Sequence, residues 1–472
     1  MKKFRTLCLP LVLLVMLSVF IPQAQAKNVD HSVQNGCHSP EAEMQLSEEG
    51  KLVETSKAVI IYELQSDTMI YAWNPDTRIF PSSMVKLMTA LVALEKGSLT
   101  DKVVVTKRAL SYVEIGSVSA GLVAGEELTL EDLLYCMMAA SANDAATVIA
   151  EYIGGTQETF VNMMNQRAAE LGCTGTNYTN AHGLHDEQNY TTARDICRIL
   201  DAALDVPEFK TLFCAESYTV PATNKSEERK VFTSNYMMSR ETVKKYYDER
   251  VTGGKTGATD EAGRCLAATA EVGGMELLTI VMGAEPIYEE DGLSVRFFGS
   301  FEETAQLLDY ALEKFECRQV FYENQTISQY PVENGANAVV TRPASSAATV
   351  LPKGVDGTKL TWIYGDAVGT ITAPVQEGQI ISNVQVWYGS KCLAQTELVA
   401  ANAVPLWQAP VEPGDSAVKT DNGSWKLVAI IGGAVLGIGV IVALVLLIRR
   451  GIRVAAVNIR RRRRRINRRR SR

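Results

Sequence analysis

The chain has 472 residues, 46% of them apolar and 21% charged, which permits packed cores in two or three folding units and excludes wholesale disorder. Its formal charge of −7 averages over unequal parts: residues 449–472 hold 13 Arg and no acid, and residues 1–26 hold three basic residues and no acid. The body between them has 31 basic against 54 acidic residues, a net of −23. A body that acidic is a poor binder of phosphate backbones, which need clustered Lys and Arg, so no nucleic-acid partner is expected.

Lys2, Lys3 and Arg5, an apolar run through Phe20, and Ala24-Gln25-Ala26 predict a signal peptide over residues 1–26, cleaved after Ala26. Residues 27–55 are polar and read as a loose leader. A hairpin follows: Val59-Ile60-Ile61-Tyr62, a turn at Gln65-Ser66-Asp67, then Met69-Ile70-Tyr71-Ala72. Residues 83–95 fit a helix ended by Gly97. Residues 128–140 and 144–153 fit two more, with a short break between them. Helical patterns recur at 160–171, 193–204 and 301–315, and strand-like runs at 266–270 and 277–282 accompany the glycines at 253, 254 and 257. These elements define one domain over 56–316.

After Cys317 the texture changes. Short β-rich runs at 319–322, 338–341, 359–364 and 380–388 alternate with Gly, Pro and Asn turns, which predicts a small all-β domain over 317–401. Residues 402–426, with three Pro, read as a stalk. Residues 427–448 are 22 positions without a charge, enough at ~1.5 Å per residue to cross a ~30 Å hydrocarbon core. Arg449, Arg450 and the six arginines at 460–465 follow directly, so the tail 449–472 is placed in the cytoplasm. The expected location is the cell membrane, crossed once, with the body outside. Eight cysteines remain once Cys8 leaves with the signal; their wide spacing without C-x-x-C indicates no zinc knuckle and fixes no disulfide pairing.

Three short motifs carry chemistry. In Ser83-Met84-Val85-Lys86 the helical spacing brings Lys86 beside the Ser83 hydroxyl, and a desolvated neutral Lys can activate a hydroxyl. Ser82 lies four residues before Lys86, so spacing alone does not choose between the serines. Ser141-Ala142-Asn143 occupies the break between two helices, where Ser and Asn are also natural caps. Lys255-Thr256-Gly257, followed by Ala258, lies in a Gly-rich strand that another backbone or a ligand can approach closely. In this order the three form the S-x-x-K, S-x-N, K-T-G set of penicillin-binding proteins and serine β-lactamases.

The chain resembles the low-molecular-weight D-alanyl-D-alanine carboxypeptidases, S11-like serine peptidases of peptidoglycan maturation. The resemblance rests on Phe80-Pro81-Ser82-Ser83-Met84-Val85-Lys86-Leu87-Met88-Thr89, on Asp132-Leu133-Leu134-Tyr135 leading into Ser141-Ala142-Asn143-Asp144-Ala145-Ala146, on Tyr190-Thr191-Thr192-Ala193-Arg194-Asp195, and on Gly254 through Gly263. It spans roughly 55–400 and selects Ser83 over Ser82. It implies an α+β fold, a DD-peptidase catalytic domain built on an antiparallel sheet with helices, followed by a small β domain. It further implies Ser83 as nucleophile, Lys86 as general base, Ser141 as proton relay and Asn143 as the residue positioning Lys86 and substrate. Lys255 and Thr256 would bind the terminal carboxylate, and the N–H groups of Ser83 and Ala258 would form the oxyanion hole beside Gly257. The implied partners are stem peptides ending in D-Ala-D-Ala and β-lactams as covalent inhibitors, with no cofactor and no metal.

The segment Ser119-Ala120-Gly121-Leu122-Val123-Ala124-Gly125 is more Ala/Gly-rich than that family leads one to expect, an expected point of difference in the cleft. A β-lactamase, an endopeptidase on the same machinery, and an inactive wall-binding protein are the rival readings. His182-Gly183-Leu184-His185-Asp186-Glu187 matches no metal motif and reads as a polar loop.

Overall fold

The computed structural model describes residues 45–408 except 48, 242, 291–294 and 368. The expected signal peptide, membrane segment and Arg-rich tail lie outside the described residues. No helix among the described residues is long and apolar enough to cross a membrane.

The hairpin expected near residue 60 is β1 (Ala58–Glu63) and β2 (Thr68–Trp73). With β3 (Val251–Thr259), β4 (Gly263–Val272) and β5 (Met275–Ala284) it forms an antiparallel sheet in the order β2-β1-β5-β4-β3. Strand side chains alternate between faces, and both faces are covered, so the strands are apolar almost throughout. Ala58, Ile60, Tyr62, Leu278 and Ile280 pack on one side with the helices; Val59, Ile61, Leu277 and Val281 pack on the other. Each buried Leu or Ile contributes roughly 1.5–3 kcal/mol.

On the first face the central helix α1 (Val85–Lys96) is buried from Val85 through Ala93. It is entered through a 3-10 turn, Ser82–Met84, rather than as one helix from Ser83. Around it lie α2 (Leu130–Met138), α3 (Asn143–Gly154), α4 (Gln157–Glu170) and α5 (Ala193–Leu204). Thr129 and Asp132 close a capping box that starts α2, and Thr156 and Thr192 cap α4 and α5. The second face is covered by α6 (Ser300–Lys314), which buries Phe301, Leu307, Leu308 and Ala311.

Helix α6 leads directly into the strand Phe315–Phe321, which pairs with Ala347–Pro352. A second five-stranded antiparallel sheet follows, in the order Ser328–Tyr330, Val339–Pro343, Lys391–Ala400, Ile380–Tyr388, Leu360–Tyr364. Phe321, Leu351, Val384, Val386 and Leu398 form its core. The β-rich texture read after Cys317 is this domain.

Two boundaries differ from expectation. The described part of the polar leader is docked rather than loose: the N–H groups of Leu46 and Ser47 donate to the Met69 and Ile70 carbonyls on the open edge of β2. The buried Glu303 carboxylate then accepts from the N–H groups of Glu54, Thr55 and Ser56. At the other end the β domain runs past residue 401, because Val404 is buried and bonds to Val375 in both directions. Among the described residues, Cys136, Cys173, Cys197 and Cys265 are buried free thiols.

Candidate active site

Ser83 is half-buried at the head of α1, in the turn that follows Pro81. Ser82 before it adopts a left-handed conformation, φ 49°, which is strained for a side-chain-bearing residue and turns the chain sharply into the helix. One helical turn on, Lys86 is completely buried. Its Nζ lies 2.9 Å from Ser83 Oγ, 2.7 Å from Asn143 Oδ1 and in a short contact with the carbonyl of His182. Burial removes water from the ammonium and Lys255 adds a like charge, so the pKa of Lys86 falls well below that of an ordinary lysine, with Asp144 opposing the change.

Ser141 and Asn143 come from the junction of α2 and α3. Ser141 takes the second left-handed conformation of the site, φ 60°. The Ala142 N–H returns to the Cys136 carbonyl at 3.2 Å, and the Asn143 N–H donates to the Val118 carbonyl at 2.8 Å. Asn143 therefore faces Lys86, and Ser141 faces the other lysine. Lys255, on edge strand β3, is buried and lies 2.8 Å from Ser141 Oγ. Its Nζ also donates to the Thr256 carbonyl at 3.1 Å, and desolvation brings its pKa down to about 7.

Thr256 Oγ1 is 2.6 Å from the hydroxyl of Ser234, a residue the motif reading missed. Gly257 has a steric purpose: a Cβ there would sit 3.3 Å from Ser82 Cβ, so its absence lets β3 close on the serine turn. Ala258 follows, exposed, on the same edge. All eight expected site residues thus converge: Ser83, Lys86, Ser141, Asn143, Lys255 and Thr256 through hydrogen-bonded pairs, Gly257 and Ala258 through the strand that carries them.

The segment around His182 was read as a polar loop. It is a loop, but its backbone closes the site, since the His182 carbonyl is the third group around Lys86 Nζ. Asn180 holds this turn, accepting from the Gly183 N–H at 2.6 Å and donating to the Leu184 carbonyl at 3.0 Å. The His182 ring accepts from the Leu184 N–H at 3.1 Å, and burial drives its pKa down to about 3, so it is neutral. A backbone carbonyl has no side-chain signature, so no sequence signal marks this role.

Gly183, φ 88°, passes so close to the Ser82–Met84 turn that an added Cβ would lie 1.9 Å from the Ser82 carbonyl oxygen. Gly183→Ala is expected to lose about 1–3 kcal/mol of stability and to slow acylation of Ser83 roughly 10–100-fold by displacing that turn. Thermal melting and the rate of fluorescent-penicillin labelling measure the two effects. Wild-type values for both would contradict this packing.

Comparison with known proteins agrees with this geometry. The family described as D-alanyl-D-alanine carboxypeptidase matches residues 45–286, and the C-terminal domain of penicillin-binding protein 5 matches residues 315–406. D-alanyl-D-alanine carboxypeptidase DacF of Bacillus subtilis is 29% identical over 393 residues, covering 82% of this chain and 91% of the relative. DacC of Escherichia coli is 28% identical over 360 residues, 74% of this chain and 84% of its own. The crystal structure of penicillin binding protein 5 from Haemophilus influenzae superposes with a TM-score of 0.59 at 28% identity, covering 76% of this chain and all of that one. With both of its folded parts matched, this chain belongs to the peptidase S11 family of D-alanyl-D-alanine carboxypeptidases.

Proposed function

We propose that this carboxypeptidase removes the terminal D-Ala from peptidoglycan stem peptides ending in D-Ala-D-Ala through an acyl-enzyme on Ser83. The observation that carries the reading is the environment of Lys86 Nζ, buried and within hydrogen-bonding reach of Ser83 Oγ, Asn143 Oδ1 and the His182 carbonyl. A neutral amine has two N–H donors and one lone pair. With the donors directed at Asn143 and His182, the lone pair is left for the Ser83 proton.

Lys86 takes that proton as Ser83 Oγ bonds to the carbonyl carbon of the penultimate D-Ala. The N–H groups of Ser83 and Ala258 receive the negative charge on the carbonyl oxygen, where one donor is typically worth a factor of about 10²–10³. Ser141, 2.8 Å from Lys255 Nζ, gives its hydroxyl proton to the departing D-Ala amine as the C–N bond breaks and is reprotonated by Lys86, which is left neutral again. Lys255 and Thr256 hold the free carboxylate, a cation and a hydroxyl suited to an anion. Water, losing its proton to the neutral Lys86, then attacks the ester carbonyl, and Lys86 returns that proton to Ser83 Oγ as the shortened stem leaves. β-Lactams react at the same hydroxyl.

The test follows free D-Ala released from a diacetyl-Lys-D-Ala-D-Ala peptide, with a fluorescent penicillin in parallel. Release blocked by penicillin supports the reading. Rapid penicillin hydrolysis without D-Ala release would replace it by a β-lactamase. Neither activity in a folded protein would leave the wall-binding reading.

The same proposal places the body outside the cell membrane, anchored by residues 427–448 with the tail 449–472 in the cytoplasm. It is supported by 22 uncharged positions followed at once by arginines. In intact cells an external protease is expected to spare the Arg-rich tail. A tail cut from outside would invert the topology.

A further inference from the structure

Asp144 directly follows the S-x-N motif, and none of the steps above uses it. It is buried, in the first turn of α3. Its carboxylate accepts four hydrogen bonds: from Ser119 Oγ at 2.6 Å, from the N–H groups of Ala120 at 2.9 Å and Leu122 at 3.0 Å, and from its own neighbour Ala145 N–H at 2.9 Å. Three of these reach into the Ala/Gly-rich segment that the sequence marks as unusual. That segment has no regular secondary structure from residue 118 to 123, and Val118 is exposed. Its other tie to the site is the Asn143 N–H, which donates to the Val118 carbonyl. One carboxylate and one carbonyl therefore join this segment to the turn that carries Ser141 and Asn143.

The charges make a second, separate point. Lys86 faces Ser83 on its own helix, Lys255 across on β3, Asn143 and Asp144 on α3, and the neutral His182 on its turn. Two buried amines oppose each other there, and Asp144 is the anion that opposes the fall in the Lys86 pKa. A carboxylate in this position favours the protonated lysine and so raises the pH at which the base becomes available.

We propose that Asp144 is a positioning residue for the reaction: its carboxylate locks segment 118–122 onto the Ser141–Asn143 turn, keeps Asn143 Oδ1 against Lys86 Nζ, and so sets the working state of the base. The proposal rests on Lys86 being the general base.

Acylation of the full-length chain by a fluorescent penicillin is measured against pH for wild type, Asp144→Asn and Ser119→Ala, after cooperative thermal melting shows each to be folded. Only neutral Lys86 accepts the Ser83 proton, so the wild-type rate rises with pH through the lysine's pKa. Asp144→Asn removes the anion, and its acid limb is expected about one pH unit lower. Its limiting rate is expected to fall roughly tenfold, because Asn cannot accept all four bonds. Ser119→Ala loosens the same segment but keeps the charge; a few-fold slower rate with an unmoved limb is expected. A folded Asp144→Asn protein with the wild-type limb overturns the proposal whatever its rate, and so does a Ser119→Ala limb that moves as far. Lys86→Gln separates the two levels. If it retains the wild-type acid limb, the general-base reading fails and this inference falls with it; if it loses the limb, only Asp144 is at issue.

Discussion

Replacing Ser83 by Ala is expected to lower D-Ala release by about 10⁴-fold or more and to abolish covalent penicillin labelling. The size follows from the reaction's division into two steps through a bond on Ser83 Oγ: without that atom no acyl-enzyme forms, and uncatalysed amide hydrolysis is the remaining route. Ser82 cannot substitute. It is buried and held in a left-handed turn, and no hydrogen bond links its hydroxyl to Lys86, whereas Ser83 Oγ lies 2.9 Å from Lys86 Nζ. The fold should survive, because Ser83 is half-buried and loses only one hydroxyl. D-Ala release and gel fluorescence after penicillin treatment measure the two losses. Labelling that persists in folded Ser83→Ala would move the nucleophile elsewhere.

The second large effect is expected at Lys86. Lys86→Ala removes the proposed base and should slow acylation roughly 10²–10⁴-fold. Lys86→Arg is the sharper variant: it keeps a long cationic side chain, but a guanidinium does not give up its proton at any accessible pH. If Lys86 serves only as a positive charge or as packing, the Arg enzyme retains activity; if it is the base, the Arg enzyme fails as badly as the Ala enzyme. The second-order rate constant for penicillin acylation decides between them.

The pH profile carries the same logic. Desolvation and Lys255 depress the pKa of Lys86, so acylation should reach its plateau well below the pH at which a solvated lysine deprotonates. Lys255, brought to about 7 by burial, loses its charge as pH rises through that value. Recognition of the free carboxylate should therefore weaken on the alkaline side, seen as a rising KM for D-Ala-D-Ala peptides.

What could be read in advance was what side chains declare. The S-x-x-K, S-x-N and K-T-G motifs are single residues with distinctive chemistry, and the structure brings their residues together across more than 170 positions of chain. Helix α5, Ala193–Leu204, has a Thr cap and strong apolar periodicity and lies where expected. The strands β4 and β5 extend a few residues beyond the apolar runs that announced them, because backbone pairing continues through Glu271 and Glu276, where the apolar runs are interrupted.

The remainder depends on backbone groups, which any residue supplies. The His182 carbonyl on Lys86 and the edge pairing of Leu46 and Ser47 are of this kind. The left-handed Ser82 and Ser141 could not be foreseen from residue type, since glycine is what that conformation ordinarily signals. The strand Lys391–Ala400 was missed because Lys391 and the polar run Gln395-Thr396-Glu397 interrupt its apolar residues, and the helix Pro207–Phe213 because two turns are too short for a period.

The account is tested most directly by locating the covalent adduct. The protein is treated with a penicillin, digested with trypsin, and the labelled peptide fragmented in a mass spectrometer. Cleavage after Arg78 and Lys86 leaves one peptide holding both serines. An adduct on Ser83 is the predicted result; an adduct on Ser82, or on any other peptide, would contradict the nucleophile around which the site is built.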